Sequence, residues 1–67
     1  MVFGGGTSEE LVLAGGCTDP GATYWVTSDG RLIGYLPTAP FGAVNAGWQA
    51  LFSEGLPANT PVLVRCG

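Results

Sequence analysis

The chain has 67 residues, 46% hydrophobic and only 10% charged, with a formal net charge of −3. That is material for one domain at most, with a thin core that is marginal unless stapled. Its only cations are Arg31 and Arg65 and it has no histidine, so it lacks the basic patch that nucleic acid requires, and no apolar run approaches the roughly 20 residues of a membrane span.

Met1 to Ser8 has neither the basic start nor the long apolar stretch of a secretory leader. Gly4-Gly5-Gly6-Thr7-Ser8 reads as a flexible linker or an appended segment. The expectation is therefore a single domain over residues 9–67, with a leader already removed or the piece cut from a longer protein. Glu10 to Ala14 reads as a first strand with Glu9 and Glu10 as its solvated start, stopped by Gly15-Gly16. Cys17 to Ala22 follows as a loop around the turn signal Asp19-Pro20-Gly21.

Thr23 to Leu36 carries the clearest local signal. Two β-rich runs flank Asp29-Gly30, the preferred pair for a two-residue type I′ turn. Counting outward from that turn pairs Ser28 with Arg31, Val26 with Ile33, Trp25 with Gly34 and Tyr24 with Tyr35. Alternation then places Tyr24, Val26, Ile33 and Tyr35 on one face. Thr23, Trp25, Thr27, Leu32 and Leu36 take the other, with the Trp25 ring free to cover the bare backbone of Gly34. Both faces hold large apolar groups, so either can be the buried one.

Pro37-Thr38-Ala39-Pro40 ends the hairpin and offers Thr38 as a helix N-cap. Phe41, Val44, Trp48, Leu51 and Phe52 recur at helical spacing, with Gly42, Asn45, Gln49 and Ser53 on the opposite face. Gly55 is a natural stop. Pro61 to Cys66 reads as the last strand, its proline at the first position where a missing donor is tolerated.

The expected fold is α+β: a four-stranded mixed sheet in the order β-β-β-α-β, one helix packed on one face, and one disulfide. A helical crossover makes the last strand parallel to the strand it leaves; the first strand runs the same way and both end near a cysteine, which together place the last strand beside the first. The two cysteines fit that layout. Zinc would need about four ligands, and a redox pair would sit at C-x-x-C spacing. A Cys17–Cys66 bridge is the favoured reading, with two buried, reduced thiols as the alternative. A bridge implies an oxidising compartment, and closing a loop of about 50 residues contributes roughly 4 kcal/mol in the chain-entropy picture.

The stretch Asp29-Gly30-Arg31-Leu32-Ile33-Gly34-Tyr35-Leu36-Pro37, with Ala39-Pro40-Phe41, Val44-Asn45-Ala46, Leu51-Phe52 and Gly55 through Cys66, resembles a small module near the C-terminal ends of secreted or surface proteins of thermophilic bacteria. The resemblance implies an extracellular appended domain and carries over no catalytic residue.

Catalysis finds little support in the residues. No histidine or lysine stands ready to activate a serine or threonine hydroxyl. Asp19, Asp29 and Glu54 fall in turns or at a helix end, where capping and solvation account for them, and Gly4-Gly5-Gly6 lacks the lysine of a phosphate loop. Asp19 and Asp29 lack calcium-loop spacing. The chain is expected to be a non-enzymatic structural or protein-interaction module, with no cofactor and no metal, facing a neighbouring domain or another copy of itself. One helix covers one sheet face, and the uncovered face is an apolar patch of the kind that marks contact. The second reading is a carbohydrate- or peptide-binding module using Tyr24, Trp25 and Tyr35 as stacking groups.

Overall fold

Thr7 begins a helix rather than ending a linker. In the computed structural model, which describes residues 1–39 and 42–66, helix α1 spans Ser8–Gly15. The Thr7 hydroxyl accepts the Glu10 backbone N–H at 3.1 Å, and the Glu10 carboxylate accepts the Thr7 N–H at 3.2 Å. This reciprocal capping box satisfies two of the donors a helix start leaves unpaired. Glu9 and Glu10 also place negative charge in the first turn, where the helix dipole favours it. The expected strand at Glu10–Ala14 is therefore a helix. A strand would put Leu11 and Leu13 on one face; helical winding separates them by about 200°. Leu11 is accordingly 0% exposed and Leu13 81%. Gly16, at φ 68°, closes the helix through its N–H to the Leu13 carbonyl.

The segment before α1 is part of the folded body, against the expectation of a linker over residues 1–8. Strand β1 (Val2–Phe3) pairs antiparallel with β4 (Thr60–Pro61), and Phe3 is buried. The Met1 ammonium donates to the Val62 carbonyl and the Val62 N–H donates to the Met1 carbonyl, both at 2.7 Å. The glycines that suggest flexibility serve close approach instead. Gly6, at φ 137°, exchanges backbone hydrogen bonds with Leu56. A Cβ on Gly55 would stand 2.8 Å from the Gly6 carbonyl oxygen.

The hairpin is as read. Strands β2 (Thr23–Ser28) and β3 (Arg31–Tyr35) pair from Ser28↔Arg31 to Tyr24↔Tyr35. The turn residues Asp29 and Gly30 sit at φ 51° and 75°, as a type I′ turn requires. The last strand, β5 (Leu63–Arg65), is placed differently. It runs antiparallel to β2, so it is parallel to β3 as a helical crossover demands, but it lies across β2 in the order β3-β2-β5. The single mixed sheet is thus two antiparallel sheets, one of three strands and one of two. With Glu10–Ala14 in helix α1, the strand that β5 was expected to join does not exist.

Between the hairpin and β4, a 3-10 turn (Gly42–Asn45) leads into helix α2 (Ala46–Leu51). The expected N-cap Thr38 instead donates its hydroxyl to the Pro20 carbonyl, and Phe41 lies outside the described residues. The expected inward face is also rotated. The tighter winding of the 3-10 turn, about 120° per residue, shifts the phase ahead of Ala46. Asn45 is therefore buried while Val44 and Leu51 are 50% and 46% exposed. The Asn45 side chain accepts the Leu36 N–H at 2.9 Å and donates to the Leu36 carbonyl at 2.8 Å. One amide thereby does what a further strand would do, and it closes the β3 edge at that point.

Both helices pack on the Tyr24/Tyr35 face. The α1 residue Gly15 lies against the Tyr24 ring, where a Cβ would meet Cε2 at 2.9 Å. Trp48 of α2 stacks on Tyr35 with centroids 5.3 Å apart and meets Phe52 edge-on at 4.7 Å. The Trp48 indole N–H donates to the Ser8 hydroxyl at 2.9 Å, joining α2 to the start of α1. Phe3, Leu11, Ala22, Val26, Leu56 and Val62 complete the core.

Cys17 and Cys66 are bonded, with Cα atoms 5.4 Å apart, and both thiols are consumed. The bond ties the exit of α1 to the end of β5. Reducing it, or the Cys66→Ser substitution, is expected to remove about 4 kcal/mol, read as a fall in the urea midpoint; an unchanged midpoint under reductant would contradict this. Asn45→Ala strands the Leu36 N–H and carbonyl and is expected to cost about 2 kcal/mol, measured the same way against a surface control such as Gln49→Ala.

Candidate functional site

Alternation along β2 decides which aromatic groups are available. Tyr24 faces the helices, is 0% exposed, and its buried hydroxyl has no hydrogen-bond partner among the described residues. It cannot touch a ligand, so it leaves the expected binding set. Tyr35 is half-buried on the same inner face, its ring occupied by Trp48 at 5.3 Å and lying 6.4 Å from Tyr24. Trp25 points the other way. The structure therefore divides Tyr24, Trp25 and Tyr35 between two faces of one sheet, and only Trp25, itself half-buried, stands on the face that the described helices leave open.

That outer face is assembled from three strands. Trp25 is flanked by Gly34 of β3 and Leu63 of β5; Thr27 pairs with Leu32, and Thr23 with Arg65. Leu32 and Leu63 are 58% and 63% exposed. Together with Gly21, these side chains border a shallow depression: Thr23, Trp25, Leu32, Leu63 and Arg65. Leu63 and Arg65 were not among the expected site residues, because the last strand was placed beside the wrong neighbour. The signal for them was present: Val62 and Val64 alternate with Leu63 and Arg65, and period-2 reading puts the second pair opposite the core valines.

Two contacts hold the Trp25 indole. Its N–H donates to the Thr23 hydroxyl at 3.0 Å, two residues away on the same face. Its benzo ring lies over Gly34, with Cε3 and Cη2 2.7 and 2.8 Å from where a Cβ would stand. Only glycine admits the ring there. The indole is thus fixed before any partner arrives, which lowers the ordering cost of a contact made on it.

Charge is distributed unevenly around this face. Arg65 is exposed and is the only charged side chain on it among the described residues. The carboxylates lie elsewhere: Glu9 and Glu10 in the first turn of α1, Asp29 in the hairpin turn, Glu54 beyond α2. Asp19, nearest along the chain, is engaged in its own loop, accepting the Gly21 N–H at 2.7 Å. Among the described residues, no three or more His, Cys, Asp or Glu side chains gather where they could hold a metal ion.

No protein-family model, curated protein or solved structure matches the chain.

The clamp on Trp25 is testable by a double-mutant cycle. Gly34→Ala alone is expected to cost about 1–3 kcal/mol, because the methyl group displaces the ring. In a Trp25→Ala background the same change is expected to be neutral or stabilising, since alanine is the better strand residue once the ring is gone. Equal costs in the two backgrounds, by urea denaturation, would show that the ring does not rest on Gly34.

Proposed function

We propose that this chain is a non-enzymatic protein-interaction module of a secreted or cell-surface protein, and that its outer sheet face docks on another polypeptide surface. The observation that carries the reading is a half-buried indole, held by Thr23 and Gly34 and bordered by the exposed Leu32 and Leu63, on the sheet face opposite both helices. Surface aromatics with fixed rotamers are the groups that anchor protein contacts. The extracellular setting is supported by the disulfide, which persists in oxidising compartments, and by the resemblance to C-terminal modules of secreted and surface proteins; the low charge supports association. The non-enzymatic reading rests on the residue inventory, which has no imidazole or lysine amine to serve as a base.

The test is panning of a displayed random-peptide library against the folded protein. Recovered binders are expected to lose affinity for Trp25→Ala and Leu63→Ser and to keep it for Leu13→Ser, which removes an exposed apolar group on α1. Binders indifferent to Trp25 and Leu63 would refute the docking face. A carbohydrate platform retains one supporting observation, the fixed orientation of the Trp25 ring. Trp25-dependent signal on a glycan array, with no Trp25-dependent peptide recovered, would favour it instead.

A further inference from the structure

Resting on the docking reading above, we propose that the occupant of the Trp25 face is an extended peptide segment with an acidic side chain two positions from an apolar one. The apolar side chain lies on Trp25 and Leu63, and the carboxylate pairs with Arg65.

Size argues for a segment rather than a second copy. Three strands about 4.8 Å apart and six residues of β2 at about 3.3 Å each frame a face of roughly 10 by 20 Å. That is about 200–300 Å², well short of the roughly 800 Å² each partner contributes to a stable protein–protein interface. Its length matches about six residues of extended chain. Charge argues the same way. The molecule carries −3 overall, yet the lining of this depression includes one guanidinium and no carboxylate among the described residues; the Asp19 carboxylate at its border accepts the Gly21 N–H. A twofold contact between copies would bring two Arg65 groups onto one small apolar surface. An acidic partner is attracted to it, and the rest of the acidic molecule repels that partner from other sites.

The spacing follows from the sheet. Leu63 and Arg65 are alternate residues of β5, about 6.8 Å apart, and pair with Trp25 and Thr23 on β2. Alternate side chains of an extended peptide aligned with the strands have the same separation. A residue over Trp25 and Leu63 therefore sets the second residue along over Arg65 and Thr23. Thr23 accepts from the Trp25 indole N–H, which leaves its own O–H free to donate to a carboxylate oxygen. The guanidinium supplies the charge-assisted, paired geometry that carboxylates take best.

Two acetylated and amidated octapeptides test this, one with Phe-Thr-Glu at its centre and one with Phe-Thr-Gln. Each is titrated into the nitrogen-15-labelled protein, with the Trp25 indole N–H and the Arg65 side-chain N–H as reporters. The Glu peptide is expected to shift both signals saturably and to bind roughly tenfold more tightly than the Gln peptide. Arg65→Gln is expected to erase that difference, and raising salt to about 0.3 M to narrow it. Arg65 is exposed, so the substitution leaves the core intact. Equal binding of the two peptides at Trp25, or a Trp25-dependent dimer in sedimentation, would overturn the acidic-segment assignment and leave the docking face standing. Tighter binding of oligogalacturonate than of the Glu peptide would overturn it in favour of an anionic sugar. No saturable shift from any of these probes, with no Trp25-dependent binder from panning, would remove both.

Discussion

The Cys17–Cys66 bond joins the exit of α1 to the end of β5 and encloses the hairpin, α2 and the final strands in one covalent loop. A domain of this length has a net stability of only about 3–10 kcal/mol, so a constraint of about 4 kcal/mol on the unfolded chain is of the same order as the whole. The bond also has a positional consequence. It holds α1 over the inner face of the sheet, where Gly15 packs against the Tyr24 ring. Its other end is the exit of β5, whose Leu63 and Arg65 join Trp25. The link thus ties an element of the covered face to an edge strand of the open one.

Once two helices occupy the Tyr24 face, everything of the opposite parity on β2 is committed to the outside. A single-residue shift in register would exchange the faces and bury Trp25 in place of Tyr24. The Asp29-Gly30 turn prevents that shift, because its two positive-φ residues determine which pairs face each other. The make-up of the outer face therefore depends on a tight turn at the far end of the hairpin. Asn45 contributes from the other side: its amide occupies the backbone groups of Leu36 that an added strand would otherwise use.

The hairpin was legible because its determinants are contiguous: alternation, a turn dipeptide and a short count between strands. Trp25 over Gly34 followed from that register alone. Helix α1 is not legible in its own residues, because Leu11-Val12-Leu13-Ala14 suits a strand as well as a helix over so few residues. The deciding signal, Thr7 and Glu10 at capping-box spacing, straddled a segment assigned to a linker. The inward face of α2 departs from the periodic pattern at Asn45 because a 3-10 turn changes the winding angle, and hydrophobic periodicity assumes one angle throughout. Its strongest member, Trp48, was still correctly placed in the core.

Sequence patterns were enough to read a small α+β chain and the hairpin register that puts Trp25 opposite Gly34, and to favour a Cys17–Cys66 bridge over two reduced thiols. Such features depend on neighbouring residues and on the identity of the two thiols. Packing alone decided which hairpin face is covered, that β5 lies against β2, and that Arg65 rather than Tyr24 or Tyr35 accompanies Trp25. Those outcomes turn on where the two helices bury their apolar stripes. That is a non-directional force summed over distant segments, and no local pattern encodes which of two comparably apolar faces it will choose.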